Sequence, residues 1–128
     1  MTRAIADTSV FIAHESGRAL VEVQLPEQIA VSVVTIAELR AGVLAAAEAP
    51  TRARRLATLT AALALDPFPI TESVAEAWAE LRISLRDAGL RVPVNDSWIA
   101  ATAVDLGVPV LTQDSDYVQL PGLDVIYV

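Results

Sequence analysis

The sequence contains no cysteine and only one histidine, His14, and all nine of its basic residues are arginine. Without cysteine the chain has no disulfide, no thiolate metal site and no thiol nucleophile. Without lysine it can form no Schiff base and lacks the phosphate-binding lysine of a P-loop. One histidine excludes a three-histidine metal site. If the chain is an enzyme, carboxylates are the reactive groups that remain.

Long apolar runs are also absent, since no segment reaches the roughly 18 to 20 residues of a transmembrane helix. Asp7 interrupts the apolar N-terminus too early for the core of a signal peptide. We therefore expect a cytoplasmic protein that has no membrane partner. The chain has 128 residues, of which 54% are hydrophobic, and this predicts one domain over 1–128.

Acidic side chains outnumber basic ones by sixteen to nine, which gives a formal net charge of −7. A broad DNA-binding surface would normally be basic, so this balance argues against one. It does not exclude local contact with nucleic acid.

Apolar patterning predicts strands that alternate with helices, and hence an α/β fold around a mostly parallel sheet. The predicted strands cover 3–6, 28–34, 108–112 and 125–127. The predicted helices cover 10–13, 19–24, 35–49, 51–64, 71–88 and 95–106, with Pro50 ending the third. Segment 65–70, which contains two prolines, is expected to be an edge strand or a connector.

Four acidic residues fall where a strand gives way to a turn or helix, or in the first turn of a helix: Asp7, Glu38, Asp96 and Asp114. Ligands of parallel sheets collect at the carboxyl ends of the strands, so we expect these side chains to form one acidic pocket. Clustered carboxylates repel one another, and a hard divalent cation relieves this repulsion. Oxygen ligands alone favour Mg²⁺ or Mn²⁺ over zinc.

Each of these acids also has an ordinary structural explanation. Asp7 and Asp96 precede helical stretches, as N-cap residues do. Thr35 and Glu38 have the spacing of a capping box. Segment 114–116 has the composition of a turn. The functional interpretation depends on the four acids occurring together at matching ends of alternating elements.

Four segments resemble the successive motifs of PIN-domain ribonucleases, and the chain is similar, more narrowly, to VapC-type toxins of bacterial toxin–antitoxin pairs. They are Asp-Thr-Ser-Val at 7–10, Thr-Ile-Ala-Glu-Leu at 35–39, Asn-Asp-Ser-Trp-Ile-Ala-Ala-Thr-Ala at 95–103 and Leu-Thr-Gln-Asp-Ser-Asp-Tyr at 111–117. The last two are the most specific. The resemblance spans residues 4–128.

The resemblance implies a three-layer fold and a Mg²⁺- or Mn²⁺-dependent endoribonuclease that hydrolyses RNA. It implies a metal-binding catalytic quartet of Asp7, Glu38, Asp96 and Asp114, with Asp116 as an auxiliary metal ligand. Hydroxyls of Ser9 and Thr112 are implied to support the pocket. The implied protein partners are a VapB-type antitoxin and a second copy of the chain in a homodimer.

Other residues have weaker assignments. Arg40 and Arg91 are candidates for contacts with the RNA backbone or are solvated arginines. Trp78 and Trp98 occupy apolar helical positions and are expected in the core or a dimer contact rather than as platforms for stacked bases. His14 is expected to be a bystander.

Three other functions share some of these features. A phosphatase with an aspartate nucleophile would need Asp-x-Asp after the first strand, but residue 9 is Ser9. A receiver domain has a similar length and an acidic Mg²⁺ pocket, but it needs a pocket lysine that this chain lacks. A catalytically silent PIN-like module that acts only by binding a protein partner remains open.

Overall fold

Short strands alternate with longer helices along the chain. The structure is a computed structural model that describes residues 2–20, 25–117, 120 and 122–128. The strands are β1 (Arg3–Ala6), β2 (Gln28–Ala30), β3 (Val110–Thr112) and β4 (Val125–Tyr127). The helices are α1 (Thr8–Glu15), α2 (Val33–Ala45), α3 (Ala49–Leu63), α4 (Glu72–Asp87) and α5 (Val94–Leu106). A 3₁₀ turn at Ser115–Tyr117 follows β3.

The described strands form one parallel sheet in the order β2-β1-β3-β4. The predicted α/β class is therefore confirmed. Successive side chains of a strand point to opposite faces of a sheet. Ile5 packs in one core with α4 and α5, whereas Ala4 and Ala6 pack in another with Val10 of α1. Both faces of the sheet are thus buried, as expected of a parallel sheet, and the three-layer arrangement follows.

Helix α2 starts earlier than the sequence predicts. Ser32 is its N-cap and accepts a hydrogen bond from the Val34 amide, so the strand predicted over 28–34 is wrong beyond Ala30. Thr35 is fully buried inside α2 and does not cap it, so the capping box of Thr35 and Glu38 is also wrong. Ser32 competes better for the cap because its hydroxyl oxygen reaches the amide two residues on.

Pro50 begins a helix rather than ending one. Helix α2 ends at Ala45, and Pro50 lies in the first turn of α3, where a proline loses no intrahelical hydrogen bond. The predicted boundary at 49 is therefore wrong. The helix predicted over 19–24 lies largely outside the described residues. Segment 65–70 is a connector that touches the chain at Ser32 through a single bridge from Phe68.

The last two helices match their predictions most closely. Thr71 caps α4 through the Val74 amide, and Gly107 ends α5 in the left-handed conformation. Helix α5 is preceded by Pro93, which makes no side-chain cap, and Asp96 lies within its first turn. The N-cap explanation of Asp96 is therefore wrong. Among the described helices, none has the length and apolarity required to cross a bilayer.

The cap of α2 can be tested by replacing Ser32 with alanine. Ser32→Ala removes the acceptor of the Val34 amide, and losing such a cap costs about 1 kcal/mol. We expect urea denaturation to show a loss of this size in the free energy of unfolding. Ser84→Ala, at an exposed position within α4, is the control and should change it by less than about 0.5 kcal/mol. Equal effects of the two substitutions would contradict the assigned cap.

Candidate active site

The candidate site lies at the carboxyl ends of β1 and β3, where the order of the strands reverses. From β1 the chain crosses to β2 on one side, and from β3 it crosses to β4 on the other. Crevices of parallel sheets open at such a switch point. Asp7 follows β1 and Asp114 follows β3 at this crevice. The topology therefore brings two of the four predicted acids to the same opening.

Asp7 is the most constrained of the four acids. Its carboxylate accepts hydrogen bonds from the Ser9 hydroxyl at 2.5 Å, the Ser9 amide at 3.1 Å and the Thr112 hydroxyl at 2.8 Å. The Ser9 amide bond makes Asp7 the N-cap of α1, so its structural explanation is also confirmed. Both oxygens are held in place, and the predicted support from Ser9 and Thr112 is confirmed.

Thr112 connects two of the acids. Its hydroxyl donates to Asp7 and accepts a hydrogen bond of 2.8 Å from the Asp114 amide. The position of the backbone at Asp114 is therefore tied to the carboxylate of Asp7. Neither residue can shift without disturbing the other.

Burial decides the protonation behaviour of Asp7, whose residue is only 2% exposed. Desolvation raises the pKa of Asp7 above its ordinary value of 3.8, against the opposing effect of the hydroxyl and amide hydrogen bonds. The nearby charge of Asp114 adds to the increase in the pKa. The crevice is thus a place where negative charge is costly and an added cation would be favoured.

Glu38 is held by two threonines rather than by a helix cap. The Thr8 hydroxyl donates to Glu38 Oε1 at 2.6 Å and lies 3.1 Å from the Thr35 hydroxyl. Since Thr8 has one hydroxyl proton, which goes to Glu38, Thr35 must donate to Thr8. This chain of hydrogen bonds positions Glu38 from α2 against the start of α1.

Tyr117, the last residue of the 3₁₀ turn, lies near three of the acids. The Tyr117 side chain is fully buried, and its hydroxyl interacts electrostatically with the carboxylates of Asp7, Asp96 and Glu38. Burial first, and then these charges, raise the pKa of Tyr117 above its ordinary range, so its hydroxyl keeps its proton. Asp96 lies within reach of that proton, although the pair does not form a hydrogen bond of ordinary distance and angle.

Tyr117 cannot be identified from the sequence pattern, because an aromatic residue after a turn is an ordinary core residue. A signal is present nonetheless, since the polar end of a buried tyrosine normally needs a partner.

The donor set fits a hard divalent cation in its chemistry. Asp7, Glu38, Asp96 and Asp114 offer only oxygen atoms, which Mg²⁺ and Mn²⁺ prefer. Within the described part of the chain, no three histidine, aspartate or glutamate side chains are drawn together into a formed ligand set. The side chain of Asp116 lies outside the described residues. Asp7 is already held in place by Ser9 and Thr112, so sharing an ion would require the other acidic side chains to move toward it.

Comparison with known proteins agrees with this architecture. The model of the PIN domain family matches residues 4–123. Ribonuclease VapC4 of Mycobacterium tuberculosis is 52% identical over 124 residues, which cover 97% of this chain and 95% of that protein. Ribonuclease VapC5 of the same organism is 52% identical over 118 residues, 92% of this chain and 87% of the relative.

A solved structure gives the same result. One chain in the crystal structure of VapBC-5, a member of the VapBC family of toxin–antitoxin systems from Mycobacterium tuberculosis, superimposes with a TM-score of 0.92 at 44% identity, with both chains fully covered. The chain belongs to the PIN domain family and, within it, to the VapC group that these relatives represent.

The raised pKa of Asp7 predicts how stability depends on pH. The folded chain binds the Asp7 proton more tightly than the unfolded chain. This contribution to stability is fully present below the unfolded pKa near 3.8 and is lost as pH rises through the folded pKa. Asp7→Asn stays neutral and can still cap α1. In EDTA we expect urea denaturation to show this variant more stable than the wild type at pH 7, with the difference shrinking in acid.

The control for this prediction is Asp124→Asn, at an exposed position beyond β3. It should show no comparable change with pH. An Asp7→Asn variant that is less stable than the wild type at pH 7, by a margin that does not change with pH, would contradict the prediction.

Proposed function

We propose that the chain is a metal-dependent endoribonuclease that hydrolyses RNA phosphodiester bonds and acts as the toxin of a toxin–antitoxin pair. The observation that carries the proposal is that Asp7 after β1, Glu38 of α2 and Asp96 of α5 lie around the buried Tyr117, with the Asp114 amide joined to Asp7 through Thr112. The two relatives are named ribonucleases, and this supports the same activity.

The proposed metal ligands are Asp7, Glu38, Asp96 and Asp114, with Asp116 as an auxiliary ligand. Bound Mg²⁺ or Mn²⁺ would supply charge neutralisation and an acidified water, which this chain cannot obtain from lysine or cysteine. The proposal rests on the oxygen-only donor set and on the burial of Asp7, which disfavours its charged form and raises its pKa.

The side chains of the protein would divide the remaining work. Asp7 cannot rotate, because Ser9 and Thr112 hold both of its oxygens, so it fixes the position of the site on the sheet. Glu38 is held at one oxygen by Thr8, and its other oxygen would orient the water that attacks phosphorus in line with the leaving oxygen. Tyr117 keeps its proton and would stabilise the negative charge of Asp96 in a dry environment.

The protein partner that we propose is an antitoxin of the VapB type. The proteins of similar fold in solved structures include the VapBC-5 assembly of Mycobacterium tuberculosis, which is described as a toxin–antitoxin system. At 44% identity over the whole chain, a comparable partner is expected here. A second copy of the chain in a homodimer is proposed on the family resemblance alone.

Loss of an acid tests the proposed chemistry. Asp96→Asn keeps the size of the side chain and removes its charge, so cleavage of a labelled RNA in Mg²⁺ should fall by at least about a hundredfold. Glu76→Gln, at an exposed position on α4, is the matched control and should cut at the wild-type rate. Circular dichroism should show both variants folded. Undiminished cleavage by Asp96→Asn, or by the wild type in EDTA, would overturn the proposed mechanism.

Binding of the metal can be measured without RNA. Ligands that bind only the folded state raise the melting temperature, by an amount that corresponds to about 2.7 kcal/mol at a hundred times the dissociation constant. We expect Mn²⁺ to raise the melting temperature of the wild type and of Glu76→Gln, and EDTA to reverse the increase. The Asp7→Asn, Asp96→Asn double variant should show no increase. A wild type that ignores Mn²⁺ and cuts no RNA would instead indicate the catalytically silent module.

A further inference from the structure

A second groove, unlike the acidic crevice, lies between α4 and the segment that leads into α5. Its volume is about 650 Å³, and its lining includes Arg82, Arg86 and Arg91 but no acidic residue. The whole chain carries sixteen acidic residues and nine arginines, so its net charge is negative. The lining of the groove is positive, which is the opposite sign.

Three of the arginines outside the groove are engaged in other contacts. Arg52 and Arg55 donate to the backbone carbonyls of Ala46 and Gly42, and Arg3 lies over the ring of Phe68. Among the described residues the one ion pair found is Arg86 with its neighbour Asp87, and both of these side chains are well exposed. Arg82 and Arg91 are therefore the uncompensated cations of the groove.

Arg82 is oriented before any ligand arrives. Its guanidinium lies 5.3 Å from the centre of the Trp78 ring. Trp78 is stacked on Trp98, with ring centres 4.4 Å apart and planes 6° from parallel, so Arg82 occupies the other face of the ring. A guanidinium that rests on an aromatic face keeps its N–H edge available for two hydrogen bonds to a phosphate. The tryptophans thus serve as packing, as expected, and hold the arginine.

The groove is connected to the acidic site through α5. The Trp78 ring nitrogen donates to Ser97 at 2.9 Å, and Ser97 donates to the Val94 carbonyl. Ser97 lines the groove and directly follows Asp96 in the first turn of α5. Successive residues of a helix point about 100° apart, so one helical turn presents Asp96 to the crevice and Ser97 to the groove.

We propose that this groove binds the phosphate backbone of the RNA strand next to the bond that is cut, with Arg82 and Arg91 as the phosphate contacts. The inference rests on the proposed ribonuclease function. An acidic site repels a polyanion, so binding of the strand requires positive charge close by. The groove supplies that charge from α4 and from the segment before α5, beside the helix that carries Asp96. Arg86 contributes less, because Asp87 already neutralises part of its charge.

The experiment measures RNA binding separately from cleavage. In the Asp96→Asn background and in EDTA, a short fluorescein-labelled single-stranded RNA of mixed sequence is titrated with protein at several salt concentrations. We expect the Arg82→Ala, Arg91→Ala double variant to bind about tenfold or more weaker. The slope of log affinity against log salt should fall by about 1.4, because single-stranded contacts contribute about 0.7 each.

Three further variants sharpen the result. Arg54→Ala removes one arginine charge from the cavity between α1 and α3 and should leave the affinity within about twofold. The Arg82→Lys, Arg91→Lys variant keeps the charge and should recover most of the salt slope. Asp87→Asn frees Arg86 and should tighten binding. In the catalytically intact chain with Mg²⁺, the double alanine variant should raise KM while kcat stays near its wild-type value.

The outcomes separate this inference from the proposed function. If the double alanine variant keeps the affinity and the KM of the wild type, the groove does not bind RNA, even if the wild type cuts RNA. If RNA binding depends on Arg82 and Arg91 but the chain cuts no RNA, the result would support RNA binding in the groove and contradict the proposed ribonuclease activity. If the double variant binds RNA normally but a dimer dissociates in light scattering, the groove is a protein interface and the inference is wrong.

Discussion

The buried carboxylate of Asp7 is the interaction on which the rest of the site depends. It terminates the central strand β1, caps α1 through Ser9, and binds the Thr112 hydroxyl at the end of β3. Burying a charge is costly unless hydrogen bonds compensate for it, and here three hydrogen bonds do so only in part. The same hydrogen bonds therefore hold Asp7 in place at the crevice, but they only partly compensate for the burial of its charge.

The sequence predicted the alternating architecture well, because the apolar pattern of α4 and α5 and the glycine after α5 follow simple rules of periodicity and capping. It failed at 31–34, which were predicted as strand, and at Pro50. A run of β-branched residues favours a strand, but Ser32 starts a helix there and tertiary packing buries Thr35 inside it. Proline ends one helix or begins the next, and composition alone does not distinguish the two cases.

The sequence correctly predicted that Asp7 and Asp114 follow strands of the parallel sheet. Acids after strands are recognisable because parallel strands end at a common edge, so Asp7 and Asp114 follow from topology. The contact of Thr8 with Glu38 and the role of Tyr117 could not be predicted, because both join segments far apart in sequence. The placement of Arg82 over an aromatic ring could not be predicted for the same reason, since it depends on two tryptophans from different helices.

The double duty of Asp7 has a consequence for how the gene can change. Most replacements at this position would remove both the charge and the start of α1, so a loss of activity would come with a poorly folded product. Asparagine is one exception, because its amide oxygen can still accept from the Ser9 amide. Aspartate and asparagine codons differ by a single base, so one transition can remove the buried charge of this crevice while keeping the acceptor that begins α1.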